Sequence, residues 1–222
     1  MTLHDNPLLA PWSGRHGLPP FDRIEAAHFV PAFDAAMREH RSEVAAIAKD
    51  RSPPTFDNTV AALDAAGRTY ARVGAVFHNL AASHTSPALQ AIEREMMPKL
   101  AAHDTGILLD AKVFARIDAL FAKRDTMSLA PEQLRLLERM HLDFVFAGAK
   151  LERRSRERAQ AIAERVAALT TTFRQNVLHD EATQGLLLTE ERDLAGLPGW
   201  LRDAAREAAK QRGEPNAWWI SI

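Results

Sequence analysis

Apolar positions recur every three or four residues along most of this chain, with polar residues between them, a period that marks amphipathic helices. Phe33, Met37, His40, Val44 and Ile47 form one such face, predicting a helix to about residue 48 that stops at Ser52-Pro53-Pro54. Asp22 with Glu25 three residues on reads as a capping box ahead of it, and Pro31 suits a first helical turn. Val60, Leu63, Gly67, Tyr70, Val73, Phe77, Leu80 and His84 continue as a single face, with Asp57 as N-cap. Gly67 and Gly74, on or near that face, predict close approach of a neighbouring helix. Ser86 and Pro87 open the next helix, borne by Leu89, Ile92, Met96, Leu100, His103 and Ile107 and expected to kink or split at Pro98. Asp110 caps a shorter helix bearing Val113, Phe114, Ile117, Leu120 and Phe121.

Ser128 and Pro131 open another helix, with Leu134, Leu137, His141, Phe144 and Val145 inward and a break at Ala147-Gly148-Ala149. Leu151, Ser155, Arg158, Ile162, Val166, Leu169 and Phe173 then alternate steps of four and three, the spacing of a coiled-coil seam. The seam lasts only about three heptads, so it reads as a long helix of an antiparallel bundle rather than a dimeric coiled coil. After His179 the character changes. Gly185-Leu186-Leu187-Leu188-Thr189 and Trp218-Trp219-Ile220-Ser221-Ile222 are strand candidates that can pair as a ribbon. Between them a helix runs from about Trp200 to Gln211, with Gly213 as its C-cap.

The fold class is therefore mainly α: a multi-helix antiparallel bundle-like lobe with a small two-stranded ribbon near the C-terminus. Residues 1–21, rich in Pro and Gly, form an extended N-terminal arm packing by Leu8, Leu9, Trp12 and Phe21; 22–180 form the helical lobe; 181–222 begin a further strand–helix–strand segment. That segment reads as truncated, because the chain ends at Ile222 within an apolar run. No repeat of solenoid length recurs.

Composition supports the helices. The 222 residues include 40 Ala against 9 Val and 8 Ile, a balance of helix formers over strand formers. The net charge of −1 provides no global field to recruit nucleic acid or an anionic membrane. The absence of Cys excludes disulfides, Cys-ligated zinc and thiol nucleophiles, and agrees with a reducing, cytoplasmic location. No secretory signal is visible at the start. Residues 73–92 carry no Asp, Glu, Lys or Arg, yet His78, Asn79, Ser83, His84 and Pro87 argue for a buried helix end and a turn rather than a membrane span.

Chemistry is sparse. The sequence has no H-E-x-x-H, P-loop, G-x-S-x-G or G-x-G-x-x-G. Glu25/His28 and Glu138/His141 have the E-x-x-H spacing of di-iron bundles, against which stand capping and packing roles. Lys150, Arg153, Arg154, Arg156 and Arg158 are a basic cluster, but Glu152 and Glu157 interrupt it and no aromatic interleaves, so it reads as a solvated helix face. His78 and His84 read as core or interface histidines, and Trp200, Trp218 and Trp219 as core or interface packing. The residues themselves thus nominate no catalytic, cofactor-binding or metal-binding side chain.

An ordered set of short segments carries more. Asn6-Pro7-Leu8-Leu9, Leu18-Pro19-Pro20-Phe21, His28-Phe29-Val30-Pro31-Ala32-Phe33, Pro54-Thr55-Phe56-Asp57-Asn58-Thr59, Phe146-Ala147-Gly148-Ala149-Lys150-Leu151, Phe173 with Asn176-Val177-Leu178, and Leu194-Ala195-Gly196-Leu197-Pro198 follow one another. Together they resemble the N-terminal region of the thimet-oligopeptidase family of zinc metallopeptidases. The stretch 114–118 and the segment through Ala147–Leu151 resemble its bacterial peptidyl-dipeptidase branch first and its oligopeptidase A branch next. The resemblance implies a parent about three times this length, mainly helical, with two lobes around a deep channel. It implies release of C-terminal dipeptides from short peptides. Zinc would be held by H-E-x-x-H and a downstream Glu in the missing C-terminal catalytic region, the motif Glu serving as general base. The present chain would wall the channel and be inactive alone. On that reading residues 73–92, Leu186–Leu188 and Trp218–Ile222 are surfaces packing on the missing part. A stand-alone helical interaction module and a di-metal helical bundle are the alternatives.

Overall fold

The computed structural model describes residues 5–221, in two compact units that divide the chain after Leu169. Ile222, the last residue of the expected second strand, lies outside the described residues.

The first unit is built on α1 (Phe29–Lys49). Its entry is a reciprocal cap in which the Glu25 side chain accepts from the His28 backbone while the Glu25 N–H donates to His28 Nδ1 at 2.9 Å. The box sits three residues later than the expected Asp22/Glu25 pair. After Ser52-Pro53-Pro54 the chain re-enters helix with Thr55, not Asp57, as N-cap; Thr55 and Asn58 cap each other across the start of a π-helical turn, Phe56–Ala61. The apolar face expected to run unbroken from Val60 to His84 is interrupted. Ala62–Ala65 form the short α2, Gly67 takes a left-handed φ of 72°, and α3 restarts at Arg68–Ser83. A Cβ at Gly67 would lie 2.8 Å from the His40 ring, so this glycine does mark a close approach. Gly74 does not: a Cβ there would meet nothing within 4 Å.

Ser86 caps α4 (Pro87–Leu108), which is not split at Pro98. Asp110 caps α5 (Ala111–Phe121), accepting from Lys112 and Val113 N–H. At α6 (Pro131–Ala147) the N-cap is Ala130, whose N–H donates to Gln133, rather than Ser128. Gly148 ends α6 in the left-handed conformation.

These elements enclose two apolar cores. The first joins Leu8 of the arm, Phe29, Phe33 and Met37 of α1, Val73, Val76 and Phe77 of α3, and Leu89, Met96 and Leu100 of α4. Phe77 meets Phe29 and Phe33 edge-on, at 5.1 and 5.4 Å between centroids. The stretch 73–92 therefore supplies core, not a docking surface; among the described residues no helix is long and apolar enough to cross a membrane. The second core joins Val44, Val60, Val113, Ile117, Leu120, Leu137 and Phe144. The arm is tied down by Asn6, which donates to the His28 carbonyl, and by Arg72, which donates to the carbonyls of Leu8 and Leu9 and stacks over Trp12. Phe21, expected to pack, is exposed.

Buried Arg116 of α5 holds the 50–59 segment. Its guanidinium donates to the carbonyls of Asp50 and Ser52, to Asn58 Oδ1, Thr59 Oγ1 and Asp50 Oδ2, at 2.7–3.3 Å. Hydrogen bonds from Ser52, with the nearby Arg116 charge, hold the Asp50 carboxyl below its usual range.

α7 (Arg153–Thr183) is divided in sequence between the units. In the second unit β1 (Gly185–Leu188) pairs antiparallel with β2 (Trp218–Ser221), with Leu186 opposite Ile220 and Leu188 opposite Trp218, as the strand candidates predict. A Cβ at Gly185 would lie 2.5 Å from the Trp219 ring, which reserves that position for glycine. α8 (Gly199–Gln211) packs on β2, burying Ala205 and Ala209, while Arg206 and Arg212 lie over Trp218 and Trp219.

Candidate functional site

The two E-x-x-H pairs do separate work. Glu25 and His28 form the α1 cap described above. His141 of α6, buried, meets Asp118 Oδ1 of α5 at 2.9 Å and stacks on Phe121 at 3.8 Å, while Glu138 points to Arg135. Among the described residues no three His, Asp or Glu side chains converge as a metal-ligand set. The donors of these pairs are engaged locally, and they do not fit a di-metal centre or a zinc site.

The basic cluster is a solvated face. Arg153 pairs with Glu157 at 2.9 Å and Lys150 approaches Asp118 at 3.8 Å. His78 and His84, expected as core or interface histidines, are exposed, which rules out the core position. Trp200 is exposed too, so it packs in no core, while Trp218 and Trp219 are half-buried beneath the arginines of α8.

A polar layer that the sequence did not single out lies on α1 between the two cores. His103 of α4 is 6% exposed, and its Nε2 lies 3.0 Å from His40 Nδ1, with Arg41 3.3 Å from its Nδ1. Both rings flank Tyr70 of α3, with centroids 5.6 and 4.8 Å away. Tyr70 hydrogen-bonds Asp104, and Glu43 accepts from the Gly67 N–H at 2.7 Å. Burial pushes the Tyr70 hydroxyl up, with Asp104 adding to the shift. Desolvation raises the Asp104 carboxyl, although one side of it opens to solvent. The signal was faint but present: His40, Tyr70 and His103 each occupy an apolar-face position on a different helix.

The exposed apolar surface is concentrated elsewhere. Within the first unit α7 turns Ile162, Val166 and Leu169 outward while Ala159, Ala163 and Ala167 are half-buried. Within the second, Phe173 is 70% exposed and Val177 and Leu178 are exposed, while Thr171 is buried. The apolar seam is thus the outer face, the inverse of an ordinary surface helix. Phe146 at 79%, Leu186 and Leu187 are also exposed. Of the three segments expected to form docking surfaces, β1 exposes Leu186 and Leu187, β2 is half-buried, and 73–92 puts Val73, Val76, Phe77 and Leu89 in the first core.

Comparison with known proteins places these surfaces in context. No family model matches the chain. Dipeptidyl carboxypeptidase of Escherichia coli is 36% identical over 98% of this chain, and that of Salmonella typhimurium is 36% identical over 99%. Oligopeptidase A of Escherichia coli is 28% identical over 94%. The chain spans about a third of the length of these curated relatives, 32% of each dipeptidyl carboxypeptidase. Over nearly its whole length, then, the chain is similar to dipeptidyl carboxypeptidases and, at lower identity, to oligopeptidase A.

Proposed function

We propose that this chain is the N-terminal, channel-walling helical part of a cytoplasmic zinc metallopeptidase of the peptidyl-dipeptidase kind, which releases dipeptides from the C-terminus of short peptides. The observation that carries the reading is 36% identity to a dipeptidyl carboxypeptidase over 98% of this chain but 32% of that protein. Peptide hydrolysis by such enzymes draws on a metal ion that polarises the scissile carbonyl and activates water. On this reading zinc and the catalytic groups belong to the remaining two thirds, and the 222 residues are silent alone. What the chain contributes is wall and support: the outward apolar row of α7 and the open β1 strand are the faces on which the remainder seats, with residues 181–222 beginning the next segment.

The coding sequence beyond codon 222 is the first test, with an in-frame H-E-x-x-H expected. The uninterrupted protein should then release C-terminal dipeptides from an N-blocked peptide, lose that activity to a chelator and regain it with zinc, while the 222-residue chain gives no hydrolysis. Hydrolysis by the 222-residue chain alone would overturn the reading. A stop codon immediately after 222 would replace it with a stand-alone helical interaction module.

A further inference from the structure

The polar layer between the two cores has a direction set by donors and acceptors. Arginine only donates, so at 3.3 Å from Arg41 the Nδ1 of His103 must accept. In the neutral ring the proton is then on Nε2, which donates across 3.0 Å to His40 Nδ1. The contact thus requires both imidazoles neutral, each with its proton on Nε2. An added proton has no place that keeps the chain of bonds intact. On His103 Nδ1 it faces the Arg41 guanidinium; on His40 Nδ1 it faces the His103 N–H. Reversing the His–His bond moves the conflict to Arg41.

The partners come from two helices, His40 and Arg41 on α1 and His103 on α4, with Tyr70 of α3 against both rings. We propose that the Arg41–His103–His40 relay is an acid-sensitive lock, which joins α1 to α4 beside Tyr70 of α3 while both rings are neutral and loosens that corner of the first unit when either takes up a proton.

Protons have access. Arg41 and His103 line an open cleft of about 680 Å³ between α1 and α4, together with Met37, Val44, Lys99 and Ile107. The charged groups facing the relay do not cancel the conflict. Glu43 and Asp104 favour a charged His40, but Glu43 is occupied by the Gly67 N–H and Asp104 by Tyr70. Glu39 accepts from Thr69, and Lys99 pairs with Glu95. Desolvation lowers the His40 pKa against those two carboxylates. Desolvation, then the charges of His40 and Arg41, lower that of His103 to about 4.

Because both folded values lie below the unfolded value of about 6.5, unfolding takes up protons in this window. The stabilisation is complete above that value and drains away as pH falls from it toward about 4. Asp104, raised in the folded chain, acts in the opposite sense and offsets part of the loss at the acid end of the window.

The test is the pH dependence of unfolding of the 222-residue chain from pH 7 to 5, for the wild type and for His103→Gln. Glutamine can accept from Arg41 and donate to His40 without titrating. The wild-type folding constant should fall by up to about tenfold per pH unit for each neutral histidine, and the variant should lack the His103 share. Histidine NMR of the wild type gives an answer even where the variant does not fold: both rings should show the Nε2–H tautomer and titrate below their ordinary range. Equal pH slopes in the two proteins, or either ring titrating at about 6.5 or above, would sink the lock.

Discussion

In the first unit four phenylalanines, Phe29, Phe33, Phe77 and Phe144, are all but closed to solvent, while Phe146 and Phe21 are exposed. In the second, Phe173 and Trp200 are outside, and the interior described is Leu194 with Ala205, Ala209, Ala217 and Thr171. A buried phenylalanine contributes about 2–3 kcal/mol from area, a buried methyl about 0.8. The first unit therefore holds its helices by its own apolar burial, whereas the second has little such burial and keeps large apolar groups at its surface. What separates them is how much large apolar side chain each encloses, since both also carry exposed apolar residues.

The strongest way to break the comparison is at Phe77. Phe77→Ala removes a fully buried ring that both Phe29 and Phe33 abut, and should cost about 3–5 kcal/mol. Denaturant unfolding gives the magnitude, and hydrogen exchange should place the loss in α1, α3 and α4. A cost below about 1 kcal/mol would mean the first core is looser than its burial indicates.

Next comes Arg116→Met. The apolar stem is kept, but two backbone carbonyls, Asn58, Thr59 and Asp50 lose their shared donor. The expected cost is about 2–3 kcal/mol, with faster exchange confined to the 50–61 segment. Uniform loosening of the whole unit would show that the arginine does more than pin this loop.

Leu194→Ala tests the second unit. Leu194 is the one large apolar side chain buried among that unit's described residues, and its removal should cost about 2 kcal/mol, the low end for such a truncation because small neighbours can close in. Loss of exchange protection in β1, β2 and α8 together is the expected result. A silent substitution would show that the ribbon, with Arg206 and Arg212 over its tryptophans, holds without Leu194.

Periodicity made most elements legible, and the reasons it failed are local. It placed α1, α4, α5, α6, α8 and both strands because their apolar spacing and their caps at Ser86 and Asp110 act within a few residues. It ran a single face through Val60–His84 because a left-handed residue at Gly67 shifts the phase without removing apolar positions. It chose Asp57 over Thr55 because both residue types cap, and only the reciprocal bond with Asn58 decides between them. For α7 it identified the apolar face but not its direction: spacing says which residues share a face, not what covers it. The His40–His103 contact joins residues 63 apart and exists only once α1 and α4 are packed. The kinship with peptidases was legible from ordered short segments, since these record descent rather than local chemistry.

The smallest expected effect concerns α7. Phe173→Ser removes a ring that is 70% exposed. In the 222-residue chain it should change stability by no more than about 0.5 kcal/mol, as surface substitutions do, and it should improve solubility by interrupting an exposed apolar row. The same substitution in the uninterrupted protein is expected to behave differently. If the remaining two thirds seat on α7, Phe173 is buried there, and its loss should cost several-fold more and lower peptidase activity through misplacement of the channel wall. Ala163→Ser on the half-buried side of α7 is the control, because that side faces the same neighbours in either context. A Phe173→Ser effect equally small in both proteins would show that the outer face of α7 stays in water, and that the second unit's apolar surface serves something other than the parent chain.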